Sequence, residues 1–420
     1  MEAGAAATTG ETPPRARLAA FDALQARDFR YLWLNSFSFF VASGMRMVAV
    51  SWLVLELTDS PSLVGVVLFV QGAPLALFSL PAGVWADRLD RRLLLVASQT
   101  GAMLTTAALA ALVLAGLEAT WSVFVLAFLM GTAMALAQPS RQALVPALVG
   151  PERLMNAIVL NNLAQNLSFV VGPAIAGGLL AVIGTGGTFL VQVGVLAAGI
   201  PWLLSMRAPA VVPDAGRAAD LIGQVREGLA YVLASPFIRS LFIVSAFTGI
   251  FFVGTYQSLL PVFSRDVLDV GEVGFGLLNA AFGLGMFAGS LYIASRGDFP
   301  RKGETLLRSL LIGSAVLLAF ALSRWFALSL VSMLAWGFGA AFFMNLTITL
   351  IQSHTPDRLM GRVMSVQALA FFGVTPIGNI AAGVIAELAS PQAAAIVGAA
   401  AVAAMTLVFF ARGPELLSKE

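Results

Sequence analysis

Cysteine is absent from the 420 residues, and histidine occurs once, at His354. A chain without thiols has no disulfide framework, no thiol chemistry and no cysteine-based metal site. One histidine is too few for a histidine metal cluster or an internal Ser-His relay. Charge is scarce as well: Asp, Glu, Lys and Arg together make up 11% of the chain, about half the fraction usual in a soluble protein. The sequence shows no Walker A loop, so direct ATP drive has no support, and no Gly-x-Ser-x-Gly nucleophile element. Neither a cofactor nor nucleic acid is expected.

What the chain has is apolar. Hydrophobic residues account for 59% of it, and mean hydropathy is +0.90. Apolar runs of membrane-spanning length recur from end to end, each too long for a buried strand. This excludes a soluble enzyme, a nucleic-acid-binding domain and a disordered chain. Barrel-type alternation is missing, and the Ala-, Leu-, Gly- and Phe-rich runs are helical. The expected fold is all-α and polytopic, with twelve transmembrane helices in two pseudo-symmetric six-helix bundles. The candidate spans are 31–57, 63–86, 92–116, 120–138, 157–183, 186–206, 238–264, 272–295, 305–322, 324–352, 361–389 and 391–411.

With 24 Lys and Arg against 22 Asp and Glu, net charge says little; placement says more. One side holds Arg15, Arg17, Arg27, Arg30, Arg88, Arg91, Arg92, Arg141, Arg153, Arg207, Arg217, Arg226 and Arg239. The same side continues with Arg296, Arg301, Lys302, Arg308, Arg358, Arg362, Arg412 and Lys419, while the other holds only Arg265 and Arg324. The positive-inside rule places both termini in the cytoplasm. The N-terminus opens on small and polar residues and reads as a tail with a short surface helix, not a cleaved signal.

Five segments follow: a flexible tail at 1–27, a first bundle at 28–206, a linker at 207–237, a second bundle at 238–411 and a tail at 412–420. Within the linker, 218–234 is expected to lie as an amphipathic helix on the inner surface. The bundles resemble each other. "PERLMNAIVLNNLAQ" from Pro151 and "PDRLMGRVMSVQALA" from Pro356 share Pro-acid-Arg-Leu-Met just before the fifth span of each half, and "RDFRYLWLNSFSFF" aligns with "SPFIRSLFIVSAFT" before the first. Duplication of this kind places a binding site near the midplane between halves that rock against each other.

The strongest local motif is "GVWADRLDRR", between the second and third spans, with Gly83, Asp87, Arg88, Asp90, Arg91 and Arg92. Gly83 permits close helix approach, and the charges interact with helix ends or anionic headgroups. From spacing alone, these residues also fit ordinary positive-inside anchors. The pattern Gly-x-x-x-Asp-Arg-x-x-Arg-Arg resembles the signature of the major facilitator superfamily. "WLVLELTDSP", "QPSRQALVPALVGPERLMNA" and "GPAIAGG" look like its bacterial exporter branch, which includes enterobactin and macrolide exporters. The resemblance implies two bundles that alternate access around a central cavity, a monomer, and a cytoplasmic gate at the motif. It also implies an antiporter motif in the fifth span, to which Gly172, Pro173 and Gly177 correspond, with Ala176 in place of a glycine. Many drug-proton antiporters carry an arginine within the fourth span; 120–138 has none.

Polar side chains inside the spans are functional candidates. Arg46, midway along the first span, is expected to face the cavity and bind an anion, with structural satisfaction by carbonyls and amides as the alternative. On the fifth span, Asn162 and Asn166 share a face with Gln165 beside them, either lining the cavity or joining interhelical hydrogen bonds. Gln71, Tyr256, Gln257, Asn279, Asn345, Gln367 and Asn379 are further cavity candidates. Glu56, about 15 Å beyond Arg46 along the helix, is the candidate coupling carboxylate or else an outer cap. The expected activity is proton-coupled secondary efflux of small amphipathic molecules, drug- or siderophore-like. A lysophospholipid or other lipid transporter, or a non-transporting sensor, stands as the alternative, and membrane lipids are expected neighbours.

Overall fold

The computed structural model describes residues 19–207, 221–297 and 299–412, with some side chains near helix ends, many of them in the second half of the second helix, excepted. Helices carry the whole described fold. After a short 3-10 turn at Ala19–Gln25 come α1 (Arg27–Thr58), α2 (Pro61–Arg88), α3 (Arg91–Leu114), α4 (Thr120–Leu148) and α5 (Pro151–Ser205). Then follow α6 (Leu221–Ala234), α7 (Pro236–Val267), α8 (Gly271–Arg296), α9 (Lys302–Leu322), α10 (Phe326–Ser353), α11 (Arg358–Leu388) and α12 (Pro391–Arg412). Ten of these are long and apolar enough to cross a membrane, and α2 adds a shorter apolar stretch at Pro61–Leu75. Outward-facing Leu104, Trp121, Val182, Trp325 and Leu388 give the bundle an apolar exterior suited to lipid.

Local chemistry sets the helix ends. Ser60 caps α2 by accepting from the Leu63 amide, with Pro61 in the first turn, and Asp90 caps α3 by accepting from the amides of Arg92 and Leu93. The 55-residue α5 breaks once, at Gly184, whose φ of 70° and ψ of −178° suit glycine alone. α7 contains two π-helical turns, Gly249–Val253 and Phe263–Val267, and α11 is interrupted at Gly373 and Val374.

The fourth span requires a correction. The sequence predicts its end at residue 138, before Pro139, but α4 continues through Pro139 and Pro146 to Leu148. Prolines are tolerated in spanning helices where neighbouring groups satisfy the freed carbonyls. The extension carries Arg141 from an expected loop into a buried helical position, so the fourth helix does contain an arginine.

Successive helices alternate in direction, giving one face that bears the α2–α3, α4–α5 and α10–α11 turns, here called the Arg-rich face. The opposite face bears the α1–α2, α3–α4 and α7–α8 turns. Two seams join residues 27–205 to residues 236–412. In one, α2 packs on the second part of α11: Gly65 meets the Asn379 and Ile380 backbone, and Gly383 meets that of Pro61 and Ser62. In the other, α5 packs on α8: a Cβ at Gly177 would lie 2.7 Å from the Cα of Gly276, and Gly283 abuts the Phe169 backbone. Both seams run from mid-bundle to the opposite face. Within the first set of helices α4 packs on α1, α2, α3 and α5, with Gly131 against the Gln71 backbone, and in the second the first part of α11 packs on α6 and α7.

The helix α6 is pinned to the bundle. Glu227 pairs with Arg362 and Arg358 of α11, Gly228 abuts Arg362, and the Tyr231 hydroxyl donates to the His354 carbonyl at 2.8 Å. The His354 ring packs against Phe237, centroids 4.3 Å apart.

Candidate functional site

Arg141 is 2% exposed and anchors a buried polar network across four passes of the chain. Its Nη1 donates to Asn35 Oδ1 at 3.0 Å and to Ser36 Oγ at 2.5 Å. The guanidinium carbon lies 4.8 Å from the Phe39 ring centre and 5.6 Å from that of Phe40. Asn35 Nδ2 donates in turn to Gln99 Oε1 at 2.7 Å and to the Gly199 carbonyl at 3.0 Å, and Gln99 Nε2 donates to the Leu196 carbonyl at 2.7 Å. Gly199 leaves the room these amides occupy; a Cβ there would overlap Gln99 Nε2. Hydrogen bonds and aromatic faces offset much of the cost of burying the cation. Arg141 Nε is buried with no partner.

Arg141 also borders a cavity of about 360 Å³ toward the Arg-rich face, between α1, α4 and α5. Gln138, Gln142, Asn161, Asn162 and Gln165 supply its amides, and Phe40, Val145, Pro146, Leu154 and Ile158 its apolar wall. The size falls within the range of small-molecule sites. Two of the amides expected from sequence, Asn162 and Gln165, meet here; Asn166 lies outside the lining. Arg141 and Gln142 escape the sequence reading because the expected helix stops before Pro139, and Gln138 because it stands at that expected end.

Arg46 lies elsewhere than expected. It is 9% exposed, its Nη2 is 3.4 Å from Met134 Sδ, and its pocket is lined by residues between Phe39 and Leu196. That pocket, among α1, α3, α4 and the last part of α5, measures about 20 Å³, room for about one water. Arg46 therefore sits inside the first set of helices, not on a space between the two sets.

The remaining polar candidates form separate local pairs. Tyr256 donates to Asn279 Oδ1 at 2.7 Å and stacks on Phe282, ring centres 4.4 Å apart, beside Trp336. Asn379 Nδ2 donates to Gln257 Oε1 at 3.3 Å, and Gln367 Nε2 to Ser245 Oγ at 2.8 Å. Asn345 Nδ2 donates to the Ala341 carbonyl at 2.8 Å. Gln71 Nε2, Asn379 Oδ1 and Gln367 Oε1 are buried without partners.

Of the motif between α2 and α3, the side chains of Gly83, Asp87 and Arg88 lie outside the described residues. Asp90 is the α3 cap, Arg91 begins that helix, and Arg92 Nη2 donates to the Leu204 carbonyl at the end of α5, a cation at a helix C-terminus. In α5, Gly172 packs on Val41 and Gly44 of α1, Pro173 contacts Gly44, and Gly177 crosses to Gly276. The helix continues through Pro173, and Ala176 is buried beside this contact. Glu56 accepts from Trp52 Nε1 at 2.7 Å and from Thr185 Oγ1 at 3.0 Å, and Trp52 stacks on Phe275 of α8.

At the opposite face, residues from the second set of helices clasp the α1–α2 turn. Arg265 of α7 donates to the Leu55 carbonyl at 3.1 Å and pairs with Asp59. Glu387 of α11 accepts from Ser60 Oγ at 2.6 Å, from the Ser62 amide at 3.2 Å and from Ser62 Oγ. A cation thus meets the C-terminus of α1 and an anion the N-terminus of α2, as helix dipoles favour.

The chain matches the family described as transmembrane secretion effector over residues 18–418. Enterobactin exporters of Shigella boydii serotype 4 (strain Sb227) and Escherichia coli O1:K1 / APEC are each 26% identical to it, over 87% of this chain and 87% of their own. Among solved structures, a POT family transporter in complex with a thioalcohol-conjugated peptide aligns with a TM-score of 0.76 at 14% identity, covering 94% of this chain and 99% of that one. A bacterial homolog of the human lysosomal transporter Spinster, inward-facing and unoccupied, aligns with a TM-score of 0.68 at 17% identity, covering 96% and 97%. The structural likenesses concern the fold.

Proposed function

Because the chain belongs to the transmembrane secretion effector family of the major facilitator superfamily, we propose that it exports small amphipathic molecules from the cytoplasm across the bacterial inner membrane by alternating access. Enterobactin export by the matched relatives supports a siderophore- or drug-like cargo. Counting α5 as two passes at Gly184 and α6 as a surface helix gives twelve passes. The repeated Pro-acid-Arg-Leu-Met, which stands at the start of α5 and of α11, supports two pseudo-symmetric bundles at 28–206 and 238–411 joined by the linker 207–237. Arginine bias makes the Arg-rich face and both termini cytoplasmic.

One observation carries the reading: the seams and the clasp close the opposite face, while an amide-lined cavity with a cation lies toward the Arg-rich one. This is the arrangement of a transporter open to the cytoplasm. Loading there and release after the clasp parts make one half-cycle. A proton gradient drives the cycle, with Glu56 as the coupling carboxylate at the outer mouth, and the monomer works among bilayer lipids. The gate motif from Gly83 to Arg92 closes the inner face in the other half-cycle.

The test is flux in proteoliposomes carrying an internal pH-sensitive dye, with catecholate siderophores, macrolides, tetracyclines, cationic dyes and lysophospholipids as cargoes. Proton movement triggered by a siderophore or drug supports the proposal. Movement of lysophospholipid alone overturns the cargo, and binding without movement of any cargo overturns transport in favour of a sensor.

A further inference from the structure

The described residues contain two buried charged side chains, Arg46 and Arg141. Both are cations, and no buried carboxylate accompanies them. A guanidinium keeps its charge almost anywhere in a protein, so among the described residues of the first set of helices two buried cations stand without a buried carboxylate, in a low-dielectric interior where unscreened charge acts strongly. Volume separates the two. The space beside Arg46 is about 20 Å³, enough for about one water, whereas Arg141 borders about 360 Å³.

Around that larger cavity, five amides, from Gln138, Gln142, Asn161, Asn162 and Gln165, have no hydrogen-bond partner among the described residues. Each carries an NH₂ that donates to an acceptor. Arg141 is among the lining residues, its Nε is buried and unpartnered, and Phe40, Leu154 and Ile158 supply apolar surface in the same lining. The amide carbonyls accept as readily as the NH₂ groups donate, so the amides suit any polar head; the charge-selective element is the cation, which, with no carboxylate in the lining, favours an acceptor-only, negatively charged group.

We infer that this cavity is the seat of an oxyanion, and that the cargo is an amphiphile whose carboxylate, phosphate or sulfonate head docks on the Arg141 wall while its apolar body lies along Phe40, Leu154 and Ile158. The inference rests on the export reading and narrows its cargo to anions. It assigns Arg46 an indirect part, deepening the positive potential without touching the cargo. The same head chemistry is available from a soluble metabolite or from an anionic lipid.

The experiment uses the full chain in phosphatidylcholine nanodiscs and two fluorescent probes with the same body, dansylglycine and its uncharged amide. Dansylglycine is expected to bind at least about tenfold more tightly, a factor worth about 1.4 kcal/mol. Arg141→Gln is expected to bring the two probes to within about twofold, since the charge that separates them is gone. Asn161→Leu, at a lining residue outside the Arg141 hydrogen bonds, is expected to weaken dansylglycine several-fold in a protein whose network is intact. Equal affinity for the two probes in the unmodified chain overturns the inference, however Arg141→Gln folds. So does an anion preference that survives Arg141→Gln in a folded protein. Repeating the titration with phosphatidylglycerol added separates the sources: a rightward shift supports a lipid headgroup in the site, and an unchanged curve a soluble anion. Anion binding without flux in proteoliposomes would sink the exporter and leave this site standing. Flux of neutral or cationic dyes with no charge preference would do the reverse.

Discussion

Glu387 Oε2 and Ser60 Oγ lie 2.6 Å apart, although 327 residues separate them in the chain. Ser60 is the cap of α2, so a carboxylate from the second half of the protein reinforces the start of a helix in the first. The bond exists only while the two halves meet at this face, which makes it a reporter of the closed seam.

Glu387→Gln keeps an acceptor for the serines and removes the charge at the α2 N-terminus. Opening of this face is expected to rise about two- to fivefold, the range a helix-terminus charge supports. Accessibility of a cysteine placed at the half-buried Leu63, which leaves both serines in place, to a membrane-impermeant maleimide reads it; unchanged labelling would show that the charge does not hold the face shut.

The absence of native cysteine makes a lock simple to install. Ser62→Cys with Glu387→Cys, in contact across the seam, is expected to cross-link under oxidation and stop flux, with recovery on reduction. Flux that continues while the cross-link is intact would mean that the two halves need not part here.

Gly276→Val places a branched side chain against the backbone of Gly177, where a Cβ alone would come within 2.8 Å. The seam between α5 and α8 is expected to spring apart, and flux to fall more than about tenfold, since ~1.4 kcal/mol of closing energy already moves a two-state balance that far. Double electron–electron resonance between spin labels on α5 and α8 would register the lengthened distance. A distance matching the unmodified protein would contradict the packing argument.

Gly199→Ala tests the buried network around Arg141. The added methyl displaces Gln99 from Asn35 and the Leu196 carbonyl, and leaving a buried donor unmade costs ~1–3 kcal/mol. A lower thermal unfolding midpoint in detergent is expected, whereas Gly194→Ala, with open space around its Cβ position, serves as the comparison that stays put.

The spans were legible from hydropathy because lipid demands long uninterrupted helices, and most observed ends lie within a few residues of the expected ones. Pro139 hid the rest of α4. Proline usually ends a helix in water, so the sequence predicts a loop after it and places Arg141 with the basic residues of that loop. Arg46 shows a second limit. Its depth along the first span could be counted in residues, but which neighbours fill the space around it depends on helix rotation. The clasp is invisible in the sequence for the same reason: charge placement puts Arg265 on the opposite face, but its pairing with Asp59, like that of Glu387 with Ser60, joins segments more than 200 residues apart.

At the crossing of Gly177 and Gly276, the two helices meet on bare backbone. Interlocked side chains would regain rotamer freedom each time the halves separated and lose it each time they rejoined. Two glycines have none to exchange. The crossing therefore behaves as a bearing, supporting the load of contact while adding little resistance to the turn, and repeated cycles leave it no slower to close.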